Sequence, residues 1–222
     1  MKDDIAFLHT SPVHQPTFEK LMRETAPGLG VKHVVREDLL AEAQRAGAQD
    51  PALVARINEA MLDAGATGAR VVVCTCSTIG GAAEDARGAF RATRIDRAMA
   101  DKAVTVGRPV LMVAALESTL APTMALLGSS ARRLGVTPEI AALVVKDAWA
   151  HFLAGDMPGY VNAIVAAVRK AQAPGGIVVL AQASMAPAAG PLAKLGVTAL
   201  SSPRLGVEQA VALHGSLSQG FP

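Results

Sequence analysis

Short apolar runs recur along the chain, separated by Ala-rich stretches of helical length. The runs are Asp4–His9, Val31–Val35, Arg70–Cys74, Pro109–Ala115, Glu139–Val144, Gly176–Ala181 and Val197–Ser201. Most are near-continuous rather than alternating, the pattern of parallel strands covered on both faces. Segments near 14–26, 51–65, 95–106, 120–134, 157–172 and 203–217 read as helices. Asp50 before Pro51 is an N-cap followed by proline in the first turn, and Gly65 and Gly135 read as C-terminal stops. Strands alternating with helices imply βαβ units and a parallel sheet, so the fold class is α/β.

The organisation is also doubled. DIAFLHTSPVHQPTF in the first part is similar to PVLMVAALESTLAPT in the second, and VVVCTCSTIG has a counterpart in IVVLAQASMAP. Each is an apolar strand followed by small or hydroxyl residues. Two βαβ lobes explain this, the first made of residues 1–94 and 203–222 and the second of 95–202. The chain's 222 residues allow that division. Open α/β sheets bind ligands outside the carboxyl ends of their strands, where all four stretches lie. Two facing lobes would gather them around one ligand cleft.

Composition narrows the partners. The chain is 51% hydrophobic but only 3% aromatic, so its core is Ala, Val and Leu packing. Net charge is +2 with no basic stripe or aromatic platform, which argues against a nucleic-acid partner. No apolar stretch reaches the roughly 18 residues of a membrane span. MKDDIAFLHT carries acids where a signal peptide would be basic. The cysteine usage then fits a reducing cytoplasm.

Both cysteines, Cys74 and Cys76, fall in one stretch, VVVCTCSTIGG. Two soft ligands without CxxC spacing or a neighbouring His do not make a zinc site, so no metal is expected. A Cys-x-Cys disulfide would be strained and out of place in the cytoplasm. Cys74, still inside the apolar run, reads as a small buried hydrophobe. Cys76 follows the strand and precedes Ser77, Thr78 and the Gly80-Gly81 pair, which reads as relief for a tight turn. Amide and hydroxyl donors in such a loop favour a thiolate and cradle a carboxylate or enolate oxygen. A thiol beside that cradle has the parts to move a proton at a carbon next to a carboxylate.

GARVVVCTCST resembles the first cysteine motif of the aspartate/glutamate/hydantoin racemase superfamily, which includes arylmalonate decarboxylase and maleate isomerase relatives. A glycine and seven further residues precede the catalytic cysteine there; counted from Gly68, that register lands on Cys76. A register on Cys74 matches the Cys-Thr-Ser of maleate isomerase-like members. RIDRAMADKAV resembles the family's segment linking the lobes. The resemblance implies two Rossmann-like, flavodoxin-like lobes with pseudo-twofold symmetry, no cofactor, a small carboxylate substrate, and a homodimer as a common state. It also implies one cysteine from each lobe. IVVLAQASMAP resembles the second motif but holds Gln182 where that cysteine stands, and an amide exchanges no proton.

The resemblance assigns acid/base catalysis to Cys76 and substrate binding to Thr10, Ser11, Ser77, Thr78, Ser118, Thr119, Gln182 and Ser184. The implied activity is a cofactor-independent racemase or isomerase acting at the α-carbon of a small carboxylic or amino acid. The alternatives are a single-cysteine decarboxylase or lyase of a malonate-type acid, or a non-catalytic anion binder. The hydroxyl residues also read as ordinary helix caps. Glu117 reads as a solvated loop acid, with a proton donor as its alternative reading. His14 reads as a surface helix residue, Trp149 and His151 as lobe-interface packing, and GSLSQGFP as a frayed tail.

Overall fold

The computed structural model describes residues 3–171 and 175–219. Residue 172 of the expected helix 157–172, and tail residues 220–222, lie outside the described residues. The chain begins β1 (Ile5–His9), α1 (Gln15–Thr25), β2 (Val31–Val35), α2 (Glu37–Ala46), α3 (Pro51–Gly65), β3 (Val71–Cys74), α4 (Gly80–Glu84) and β4 (Arg91–Arg94). It continues α5 (Arg97–Thr105), β5 (Val110–Ala114), α6 (Leu120–Leu134), β6 (Ile140–Val144), α7 (Lys146–Leu153) and α8 (Met157–Ala171). It closes with β7 (Ile177–Leu180), α9 (Ala189–Lys194), β8 (Ala199–Ser201) and α10 (Ser202–Gln219). Contacts divide it into two units, Met1–Asp96 with Pro203–Pro222, and Arg97–Ser202.

Each unit is α/β with one parallel four-stranded sheet, ordered β2-β1-β3-β4 in the first and β6-β5-β7-β8 in the second. The doubled organisation is therefore realised as one strand order used twice. In the first unit the central strands are buried along their whole length. Ala6, Leu8, Val72 and Cys74 join Leu53, Ile57 and Met61 of α3 in one core. Ile5, Phe7, Val71 and Val73 join Phe18 and Met22 of α1 and Val207 and Ala210 of α10 in another. Successive strand residues point to opposite faces, so a strand covered on both sides is apolar at every position. In the second unit Val113, Val178 and Leu180 pack with Tyr160, Ile164 and Val168 of α8. Each fully buried aliphatic side chain contributes about 1.5–3 kcal/mol.

Local signals behave physically. The Asp50 carboxylate accepts from the N–H groups of Ala52 and Leu53 at 3.0 Å, capping α3. Gly135 ends α6 in the left-handed region at φ 67°. Gly65 is a correction: it lies inside the last turn of α3, where a Cβ would collide with the Phe90 ring, so packing accounts for its being glycine. Trp149, expected at a lobe interface, stacks on Phe152 and packs against the core of its own unit, and His151 pairs with Asp156. The tail is helical as far as Gln219. Among the described residues no helix is long and apolar enough to cross a membrane.

α10 makes one unusually close approach. A Cβ on Gly206 would fall on the carbonyl oxygen of Ile95, whereas a Cβ on Gly215 of the same helix meets nothing within 4 Å. Gly206→Ala should destabilise the protein by about 1–3 kcal/mol, an overpacking cost. Gly215→Ala should stabilise it by about 0.5–1 kcal/mol, because alanine is the better helix former. Urea denaturation of the two variants checks both signs.

Candidate active site

The carboxyl ends of β1 and β3 lie side by side because the two strands pair directly, Leu8 opposite Cys74. Thr10 and Ser11 follow β1, and Cys76, Ser77 and Thr78 follow β3, so these five residues share one edge of the first unit. The Thr75 N–H donates to the Leu8 carbonyl at 2.9 Å and carries the pairing one residue beyond the strand. The ladder then ends. Cys74, inside it, is 0% exposed, and its thiol lies 3.6 Å from the Cys76 carbonyl oxygen. Burial raises the Cys74 pKa well above the usual thiol range. Cys76, two residues on, is only partly buried. Both are free thiols.

A buried ion pair holds the Cys76 loop from below. Arg94, at the end of β4 and 3% exposed, binds Asp96 through two hydrogen bonds of 2.6 and 2.9 Å. Its remaining reach goes to the Ser77 carbonyl oxygen at 3.0 Å. The guanidinium lies so close to the start of α4 that a Cβ on Gly80 would sit 2.9 Å from it. Gly80 and Gly81 have no positive φ, so the expected tight turn is replaced by a different need, room for Arg94.

The expected hydroxyls divide. Ser11 and Thr119 occupy N-cap positions, yet neither side chain makes a capping hydrogen bond. Ordinary capping therefore does not account for them. Thr10, Thr78 and Thr119 are buried, and the Ser118 hydroxyl is covered without a partner among the described residues. Glu117 is exposed and forms a 2.8 Å ion pair with Lys146, whose ammonium lowers the carboxyl's pKa through that hydrogen bond.

At the matching edge of the second unit, β5 and β7 pair directly, Val113 opposite Leu180. Ser118 and Thr119 follow β5, while Gln182 and Ser184 follow β7. The Gln182 side-chain Oε1 accepts the Ala115 N–H at 2.6 Å. That bond turns the amide nitrogen, with its two donors, away from Ala115. The Ser184 hydroxyl is hydrogen-bonded to Tyr160 at 2.9 Å, and burial pushes the Tyr160 phenol up to about 12, so it stays neutral.

His9 closes β1 and is 0% exposed. Its Nδ1 lies 2.9 Å from Thr75 Oγ1 and its Nε2 lies 2.8 Å from His33 Nδ1. Burial lowers its pKa to about 3, with His33 and His14 adding repulsion. His14, expected on a surface helix, is half-buried in the 3-10 turn Pro12–His14, and burial lowers its pKa too. Among the described residues no cluster of His, Cys, Asp and Glu could hold a metal.

No family model matches the sequence, and no curated protein matches it. Solved structures do. Picrophilus torridus aspartate racemase superposes with a TM-score of 0.72 at 12% identity, covering 96% of this chain and 94% of that one. Glutamate racemase from Thermus thermophilus gives 0.68 at 18%, covering 100% and 84%. The fold is therefore one that these aspartate and glutamate racemases share. A variant of arylmalonate decarboxylase also matches, with a TM-score of 0.56 at 18% identity, covering 96% and 93%.

The sequence marks His9 only as the residue that ends the first strand before Thr10 and Ser11, and Arg94 and Asp96 only as part of RIDRAMADKAV; His33 and Tyr160 are given no role there. Only the Arg94-x-Asp96 spacing hints at one of these contacts; the histidines and Tyr160 are joined by the fold. Asp96→Asn should destabilise the chain by about 3–5 kcal/mol in urea denaturation, since Arg94 would remain buried without its counter-charge. His9 has a separate pH signature. Its unfolded pKa is about 6.5 and its folded value about 3, so only the unfolded chain takes up this proton between them. Its neutral burial thus contributes stability that is full above pH 6.5 and declines as pH falls toward 3. His9→Leu should lose less stability than the parent between pH 7 and pH 4, measured by denaturant midpoint at each pH.

Proposed function

We propose that this chain is a cofactor-independent enzyme that moves a proton at the α-carbon of a small carboxylic acid, with Cys76 as the acid/base. The observation that carries the reading is the contrast between its two thiols. Cys74 is sealed in the core, while Cys76 stands partly open at a strand's carboxyl end. The fold is one that racemases and a decarboxylase also use.

In the forward half-reaction the Cys76 thiolate takes the α-proton, and the electron pair moves onto the carboxylate as an enolate. Hydroxyls and amides along the edge, from Thr10, Ser11, Ser77 and Thr78, hold its oxygens and offset the developing charge. Ser118, Thr119, Gln182 and Ser184 are the donor set of the second unit's edge. If the proton on sulfur first exchanges with solvent, its return to the same face completes an exchange; inversion needs a proton delivered to the opposite face by water or another side chain. Removing a well-placed general acid/base typically costs 10²–10⁴-fold in rate.

A second reading rests on Gln182. Its side-chain Oε1 accepts the Ala115 N–H, which leaves the amide N–H groups as donors that bind oxygen and exchange no proton. A single thiol suits a lyase. There a malonate-type acid loses carbon dioxide, the C–C pair becomes the enolate, and the Cys76 thiol protonates it. A third reading, an anion binder without turnover, uses the same donors.

Incubation of a panel of small carboxylic acids in deuterium oxide separates these. Deuterium appearing at the α-carbon without net product supports proton transfer, and carbon dioxide release from a malonate-type acid supports the lyase. Cys76→Ala should lower either rate at least about 10²-fold. Turnover that survives in this variant removes the thiol from the mechanism. Ligand-induced thermal stabilisation with no chemistry across the panel favours the binder.

A further inference from the structure

A line of hydrogen-bonding groups runs from the surface of α1 to the foot of the Cys76 loop. Glu19, half-buried on α1, presents one carboxylate oxygen to Arg23 at 3.3 Å and the other to His33 Nε2 at 3.2 Å. That second approach is at ion-pair distance but off the line of an ideal hydrogen bond. His33 Nδ1 meets His9 Nε2 at 2.8 Å with the rings 21° from coplanar, and His9 Nδ1 meets Thr75 Oγ1 at 2.9 Å. Thr75 Oγ1 also lies 3.2 Å from the Leu8 carbonyl. Phe7 and Phe18 wall the imidazoles. Besides these partners, the titratable group acting on His9 is His14.

Proton counting allows two arrangements. A nitrogen–nitrogen contact needs one proton between the rings, and a carboxylate only accepts. With both imidazoles neutral, His33 Nε2–H points to Glu19, His9 Nε2–H points to His33, and the Thr75 hydroxyl donates to His9 Nδ1. One added proton makes His33 an imidazolium paired with Glu19. His33 Nδ1–H then donates to His9 Nε2, His9 Nδ1–H donates to Thr75, and the Thr75 hydroxyl turns to the Leu8 carbonyl. Both ring–ring and ring–hydroxyl contacts are satisfied in each arrangement, whereas the Thr75 hydroxyl reaches the Leu8 carbonyl only in the second. They differ by one proton from solvent, by the tautomer of His9 and by the direction of one hydroxyl.

We propose that Glu19, His33 and His9 form a one-proton switch that sets the orientation of Thr75 beside Cys76. The fold does not require the cluster. In the second unit the residue matching Thr75 is Ala181, whose N–H donates to Val113 as Thr75 donates to Leu8, and the residue matching His9 is Ala114. The same backbone forms there without either polar side chain. His9, His33 and Thr75 are positioning residues. Thr75 is 4% exposed, and its hydroxyl lies between the ends of β1 and β3 rather than in solvent. His33 takes the proton, because Glu19 opposes the effect of burial there while His9 has only other histidines nearby. Burial still lowers the His33 pKa, so the switch works on the acid side of the usual histidine range.

The meaning of the switch for catalysis rests on the Cys76 reading, but the switch itself is tested without turnover. Long-range ¹⁵N NMR of the imidazoles in the full chain should find both His9 and His33 protonated on Nε2 at pH 8. On acidification, His33 should gain its second proton as His9 transfers its own to Nδ1, at one shared midpoint below 6.5. Glu19→Ala, a change outside the core, should move that midpoint down by about one unit, the effect of losing a nearby opposite charge. The rate of Cys76 alkylation, followed by mass spectrometry of the peptide, should change at the same midpoint in each protein. A His9 already protonated on Nδ1 at pH 8, or rings titrating at separate midpoints, would overturn the switch. An alkylation profile that ignores the Glu19→Ala shift would overturn its link to the loop. Neither result depends on whether a substrate is turned over.

Discussion

Burial of the central strands on both faces is the constraint from which the rest follows. A parallel ladder closed in by helices has no place for an unpaired polar group, because each would cost about 1–3 kcal/mol. Polar chemistry is therefore driven to the ends of the strands, and the carboxyl ends carry the loops that lead into helices. The two cysteines make the point at a separation of two residues. Cys74, still in register with Leu8, is a core atom with a suppressed thiolate. Cys76 lies past the last ladder bond and reaches the surface.

The Arg94–Asp96 pair is the costly exception to that rule, a full charge pair inside the first unit. Buried pairs are weak sources of net stability, and replacing one with apolar residues is often neutral. What this one offers is geometry. The bidentate carboxylate fixes the guanidinium plane, and the plane fixes the Ser77 carbonyl and the start of α4 through Gly80. The loop carrying Cys76 thus hangs from a rigid donor rather than from side-chain packing alone.

How far the sequence speaks depends on this same burial. The strands were legible because double coverage writes them as unbroken apolar runs, and each expected run contains an observed strand. β4, with the sequence RATR, is not legible: it is an edge strand, exposed at Arg91, and its other arginine is neutralised by a residue outside the strand. α4 and α9 are too short for a helical period to show, and α2 and α7 lie in segments not read as helices. The donor residues were legible as small hydroxyls after strands. The histidine pair was not, because 24 residues separate its members and only the β1–β2 register, Phe7 opposite His33, sets the rings on one face.

The doubling of the fold sharpens the functional question. Equivalent positions can be matched through the backbone, since Thr75 and Ala181 make the same bond to their neighbouring strands. Cys76 then matches Gln182, Thr75 matches Ala181 and His9 matches Ala114. At each of these positions the first unit carries a group that donates or exchanges a proton, and the second carries an alanine or an amide. Hydroxyls persist on both edges, at Thr10, Ser11 and Thr78 in one and at Ser118, Thr119 and Ser184 in the other. Hydroxyl side chains are thus common to both edges, while the thiol and the imidazole stand on one. A two-thiol mechanism would need a thiol at both matched positions, and this chain has one only at Cys76, which is why the proposed chemistry includes a reaction with a single proton donor.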